Sequence, residues 1–173
     1  MSAFYTHRPY LQKELDDLMS KALYHPVHIL ELGVGDGSSE LLHNFAQKHN
    51  NASVLGLETD RSWASNTKDR YKLPNYNIQY IPSWKDVYCT IPDQFYDLIF
   101  IDQSPWEARI EALEYFSSKD SFSTAILHDY DYYNPNDYKY SYDENSFFRS
   151  YNKNYILQGF FEELPPTLVF KRK

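Results

Sequence analysis

The chain has 173 residues, 42% of them hydrophobic, and a formal net charge of −7; it is long enough for one domain with a proper core and too apolar for a disordered chain. The acidic balance argues against a general affinity for nucleic acid, where Lys and Arg neutralise phosphates. A lone cysteine, Cys89, excludes an intrachain disulfide framework and a thiolate metal site, and no signal-type or membrane-length apolar run occurs, so an intracellular protein without membrane association is expected.

Taken in order, Leu11, Leu15, Leu18, Met19 and Ala22 form one apolar stripe with charges between them, which predicts a covering helix within residues 1–25. Pro26 ends it, and Val27 to Leu32 follow as a short buried strand. Leu41, Leu42, Phe45 and Ala46 predict a second helix starting at Ser38 and Ser39. Ser53 to Thr59 is the next strand, and Asp60 is placed to cap a helix through Tyr71. Ile78 to Ile81 predicts a third strand, and Tyr96 to Ile101, ending on Asp102, a fourth. A helix is expected from Ser104 to about Ser117 and a fifth strand from Thr124 to Leu127, ending at His128-Asp129. After the aperiodic, tyrosine-rich stretch 130–145, Ser146 to Tyr151 reads as a short helix. Tyr155 to Phe160 and Thr167 to Lys171 are two strands too close in sequence for a parallel crossover. Alternating strands and helices predict an α/β fold: a Rossmann-like, doubly wound, mostly parallel seven-stranded sheet with a C-terminal antiparallel hairpin, in a single domain spanning 1–173.

Three of the five glycines stand at Gly33, Gly35 and Gly37, between the first strand and the helix after it. A sharp strand-to-helix turn needs residues that tolerate positive φ, and a ligand pressed against it needs backbone without Cβ atoms. The dinucleotide fingerprint is spaced G-x-G-x-x-G; here the spacing is G-x-G-x-G, with Ser38 in the third glycine's place. A nicotinamide-dependent oxidoreductase is disfavoured on that ground. Glu58, at the end of the second strand, suits the diol of any ribose.

The run Glu31-Leu32-Gly33-Val34-Gly35-Asp36-Gly37 resembles motif I of the class I S-adenosylmethionine-dependent methyltransferases, and the order of elements, ending in an antiparallel hairpin, is similar. The resemblance implies S-adenosylmethionine as cofactor. It implies that Gly33, Gly35 and Gly37 let the backbone approach the methionine and ribose portions while Glu31 holds the turn and the amino end. By the same resemblance Glu58 binds the ribose hydroxyls, Ser83 and Trp84 border the adenine, and Asp102 stands at the mouth beside the methionine.

Chemistry in such a sheet lies beyond the carboxyl ends of the strands, where Asp102, His128 and Asp129 fall. His128 is the natural general base for a hydroxyl acceptor, with Asp102 or Asp129 to orient it. The pattern Ile101-Asp102 and Leu127-His128-Asp129 also resembles the metal-assisted O-methyltransferases, which implies a divalent cation between Asp102 and Asp129. Tyr130 replaces the asparagine ligand of catechol-type members, which leaves the metal open. Ser104-Pro105-Trp106 is similar to the [DNS]-P-P-[FYW] signature of amino-methylating enzymes with one proline missing. A capping box, with Ser104 as N-cap, Pro105 at N1 and Glu107 at N3, is the favoured account.

The tyrosine-rich stretch 130–145 is either a lid over the acceptor or a polar surface loop packing its own aromatics. Its aromatics are interleaved with acids, Lys139 being the one cation among them, so a small molecule, sugar or peptide is the expected acceptor and nucleic acid is disfavoured. The expected activity is O-directed methyl transfer. The alternative is a methyltransferase-like scaffold that no longer catalyses, since Ser117 to Ser123 lacks the usual glycine pair before the fifth strand.

Overall fold

In the computed structural model, the described residues are 5–21, 25–130, 148, 150–160 and 165–173. Most of the stretch 130–145 and the start of the expected helix at Ser146 therefore lie outside them. The N-terminal helix α1 (Arg8–Lys21) leads to β1 (Val27–Leu32), α2 (Asp36–Lys48), β2 (Ala52–Glu58), α3 (Arg61–Arg70) and β3 (Tyr76–Tyr80). A 3-10 turn (Trp84–Asp86) runs into the short α4 (Val87–Thr90), followed by β4 (Tyr96–Ile101), α5 (Trp106–Ser118) and β5 (Phe122–His128). A second 3-10 turn (Ser150–Lys153) precedes β6 (Tyr155–Phe160) and β7 (Thr167–Arg172).

The seven strands form one sheet in the order β3-β2-β1-β4-β5-β7-β6, parallel from β3 to β5, with β7 antiparallel to both its neighbours. This is the doubly wound sheet expected from the sequence. Alternate residues of each strand serve opposite layers, as the two-residue pleat requires. Val27, Ile29, Leu98, Phe100, Ile126 and Val169 pack under α1 and α2 with Leu11, Leu15, Leu42 and Phe45. Leu30, Leu32, Ile99, Ile101, Ala125 and Leu127 face the other way, onto Ala112, Leu113 and Phe116 of α5. Because both faces are covered, the central strands read as continuous apolar runs instead of alternating ones.

Two local expectations are corrected. Helix α2 begins at Asp36 with Gly35 as its N-cap, two residues ahead of the serines, so Gly37 lies in its first turn. Helix α5 begins at Trp106, because Pro105 is extended (φ −75°, ψ 168°) and no side chain caps it. Glu107 thus falls one position too early for a reciprocal bond, and the expected capping box does not form. Asp60, in contrast, caps α3 by accepting the Trp63 N–H at 2.9 Å. Among the described residues no helix is long and apolar enough to cross a membrane.

Candidate functional site

The strand order reverses between β1 and β4, and the segments leaving these two strands meet there. Gly33 has φ +85°, and a Cβ on it would lie 2.7 Å from the backbone C and O of Asp102. Only glycine fits at that crossing. The turn is tied to both sides: Gly33 N–H donates to Leu57 O at 3.0 Å, and Asp102 N–H to Leu32 O at 2.8 Å. Gly35 differs in kind. Its backbone is extended and nothing lies within 4 Å of where its Cβ would be, so the residue faces open space at the N-terminus of α2. The first-turn amides of that helix have no intrahelical acceptors and carry the positive end of its dipole.

Glu31 braces this loop from beneath. It is wholly buried, and Oε1 accepts the hydroxyls of Ser38 and Ser39 at 2.7 and 2.8 Å, while Oε2 accepts the Tyr76 hydroxyl at 2.5 Å. Ser39 Oγ in turn accepts the Gly35 N–H at 3.0 Å. Burial pushes the Glu31 carboxyl up to about 7 against the pull of its three hydroxyl donors. At the next strand end Glu58 Oε1 accepts the N–H groups of Thr59 and Asp60 at 2.7 and 2.9 Å. These bonds leave Oε2 as an acceptor. Trp63, half-exposed on α3, donates Nε1–H to Val34 O at 2.5 Å and so walls the glycine turn on that side. Beyond β3, Ser83 Oγ accepts the Lys85 N–H, and Trp84 is buried with Nε1–H donated to Ser104 O at 2.6 Å.

At the ends of β4 and β5, Arg109 organises the acidic groups. Its Nε donates to Gln103 O at 2.7 Å; its Nη1 donates to His128 O at 2.7 Å and to Asp129 Oδ2 at 2.9 Å; and its Nη2 lies 3.0 Å from Asp102 Oδ1. The two carboxylates that the resemblance assigns to a cation are thus bridged by one guanidinium. Asp129 takes φ +53°, and its Oδ1 is buried without a hydrogen bond, 3.6 Å from His128 Nε2.

His128 is buried, with Nδ1 3.1 Å from Asp102 Oδ1 and Nε2 3.0 Å from Thr6 Oγ1. Thr6 Oγ1 also lies 2.9 Å from Pro165 O, which only accepts. The Thr6 hydroxyl has one proton to give to either Pro165 O or His128 Nε2, so with Nδ1–H on Asp102 a neutral imidazole presents Nε2 to Thr6 as an acceptor. The ring of His7 packs edge-on against His128 (centroids 4.6 Å apart) and tilted against Phe100 (4.8 Å). Only 2% of His7 is exposed, and neither ring nitrogen has a hydrogen-bond partner among the described residues. Burial, with His128 second, pushes this imidazole down to about 3, so it is neutral.

Gly33, Gly35, Asp102, His128 and Asp129 are therefore brought to one place, with Glu31 under it and Glu58 and Ser83 at the adjoining strand ends. Thr6, His7, Trp63 and Arg109 belong to the same region and carry no motif. Arg109 alone leaves a trace in the sequence, as the only cation between Ser104 and Ser118.

No protein-family model matches the sequence, and no curated protein matches it. Solved structures do. Human methyltransferase-like protein 13, in complex with SAH, superposes on 94% of this chain with a TM-score of 0.62 at 15% identity, the chain covering 79% of that protein. The class I methyltransferase fold is present. A candidate caffeoyl-CoA O-methyltransferase from Staphylococcus aureus shares that fold with the same TM-score, 0.62, and 15% identity, over 94% of this chain and 81% of its own. A dimethyladenosine transferase from Plasmodium falciparum shares the methyltransferase fold over 92% of this chain, at a TM-score of 0.58 and 13% identity. This chain spans only 61% of that transferase.

Proposed function

We propose that the chain binds S-adenosylmethionine beside Gly33 and Gly35 and transfers its methyl group to an oxygen of a small molecule, sugar or peptide. The observation that carries this reading is the unfilled space at Gly35, a cradle that any Cβ would occupy, two residues beyond Gly33, which is itself packed against the Asp102 backbone. When bound, the sulfonium supplies an electrophilic methyl group and a neutral thioether leaving group. Glu58 Oε2 is the acceptor for a ribose hydroxyl, and the first-turn amides of α2 face the cofactor's polar end. Glu31 acts through Ser39 and does not touch the ligand. Ser83 lies on the adenine side, and the buried Trp84 acts there through the Ser104 backbone.

His128 Nε2 receives the acceptor's proton after exchanging its bond to Thr6 for the acceptor hydroxyl, while Asp102 keeps Nδ1–H in place. Arg109 holds the Asp102 and Asp129 carboxylates in place during that exchange. A second reading, a cofactor-binding scaffold without turnover, draws support from one observation: His128 is only 4% exposed and both its ring nitrogens are engaged.

The test is calorimetry and thermal melting of the full chain with S-adenosylmethionine and with S-adenosylhomocysteine, in the presence of a metal chelator. Ligand at a hundred times its Kd should stabilise the fold by about 2.7 kcal/mol. Gly35→Leu should abolish the effect while the chain stays folded. Silence of both ligands at millimolar concentration sinks the reading. Binding without methylation of any hydroxyl acceptor across a broad panel favours the scaffold.

A further inference from the structure

Donor atoms of His7, Asp102 and His128 all lie within 4.8 Å of one another, on three segments distant in sequence. His7 has no part in the proton path above, yet it is buried with both nitrogens unpartnered among the described residues. A buried imidazole without partners has lost the hydrogen bonds that water would give it, and that loss opposes folding. Nothing in the packing around it recovers that cost, since its neighbours Phe100 and His128 offer it ring faces and edges. A lone pair held dry beside a second imidazole and a carboxylate has one natural complement, a Lewis-acidic ion.

We propose that His7, His128 and Asp102 form a binding site for a divalent transition-metal ion of the zinc class. Two imidazoles and one carboxylate are a borderline donor set, which suits zinc and its neighbours and is poor for magnesium or calcium, whose sites are built from oxygens. The set differs from the paired acids Asp102 and Asp129, which Arg109 already bridges.

The spacing is workable. His128 Nδ1 and Asp102 Oδ1 stand 3.1 Å apart, close to the roughly 3.4 Å edge of a tetrahedron with metal–ligand bonds of about 2.0–2.1 Å. The widest separation in the cluster must contract by a little over an ångström to match it. Asp102 Oδ1 also meets Arg109 Nη2 at 3.0 Å, and a carboxylate oxygen, with two lone pairs, can face both the guanidinium and the ion. Three protein ligands leave at least one position for water or an acceptor oxygen, as in catalytic sites of this metal class. The ion would replace the Nδ1 proton that Asp102 otherwise holds, so metal binding and the proton path above are alternative uses of His128, and a metal titration reads the first without any methyl transfer.

The experiment uses the full chain stripped with a chelator and then titrated with Zn2+ against a competing chelator, and with Co2+ followed by its visible ligand-field band. One equivalent should bind, and millimolar Mg2+ should not displace it. His7→Ala and His128→Ala should each lower Zn2+ affinity by about 100-fold or more, whereas His25→Ala, at an exposed histidine, should leave it unchanged. On the unmutated protein, nitrogen-15 NMR of the histidine rings should show the His7 and His128 signals moving on Zn2+ addition, a readout that does not depend on any variant folding. Absence of a one-to-one complex, displacement by Mg2+, wild-type affinity in either variant, or movement only of the other four histidines would each overturn the proposal.

Discussion

Gly33 and Gly35 stand two residues apart and do different things. Gly33 is held at positive φ against the Asp102 backbone, so Gly33→Ala forces both a left-handed alanine and a 2.7 Å contact. Its strain alone is worth about 1–3 kcal/mol, and urea unfolding should register at least that loss. Gly35 is extended, faces open space and caps α2, so Gly35→Ser, which adds a Cβ but keeps a good capping residue, should leave unfolding within about 0.5 kcal/mol of wild type. The damage at Gly35 should appear only in cofactor binding, read by calorimetry. Glu31 carries a pH signature. Its carboxyl titrates at about 7 in the folded chain against 4.5 in its ordinary state, so the folded protein binds this proton more tightly than the unfolded one. The stability gained is complete below pH 4.5 and is lost as the pH rises to 7, on the order of 3 kcal/mol if this group acts alone. Glu31→Gln should therefore flatten the stability profile between pH 5 and 7, measured by denaturant titration at each pH. A profile unchanged from wild type would show that Glu31 is not the group responsible.

At the scale of elements, helix α5 is fastened to the ends of β4 and β5 by Arg109, with Trp106 Nε1–H donated to Asp129 O and Gln103 Nε2–H to Ala108 O beside it. Arg109 serves two carboxylates and two carbonyls at once, which the planar five-donor fork of a guanidinium allows and an ammonium does not. Arg109→Met leaves Asp102 and Asp129 as poorly solvated charges without their cation, and should cost about 3–5 kcal/mol by thermal or chemical unfolding. Arg109→Lys should recover only part of that loss. The strands around this helix are legible in the sequence: β1, β4 and β6 occupy the residues their apolar runs mark, since Pro26 and Asp102 punctuate them sharply. Helix starts are less legible, because they depend on backbone dihedrals such as that of Pro105, which no residue pattern states. Gly33, Asp102, His128 and Asp129 are readable because they sit at strand ends, whose place in this architecture is fixed in advance. Thr6 and His7 are not, since they meet His128 across more than a hundred residues of chain and leave no periodic trace.

For the whole molecule, α1 is part of the core. Leu11 and Leu15 are fully buried and share one packed cluster with Leu98, Phe100, Ile126 and Val169, so α1 is joined to strands from both halves of the sheet. Leu11→Ala or Leu15→Ala should cost about 2–5 kcal/mol, visible as a lower urea midpoint, and should also loosen His7, which lies just before the same helix. The sheet order has a kinetic side as well. β7 is the last of the seven strands, yet it does not lie at the edge; it is inserted between β5 and β6 and pairs with both. Until it arrives, β5 presents a bare ladder of N–H and C=O groups, and the apolar side chains that await Leu168, Val169 and Phe170 on both layers remain open to water. The strands from β3 to β5 are made before β7, and until β7 has been added the β5 edge is the place where the chain is most prone to pair with the wrong strand.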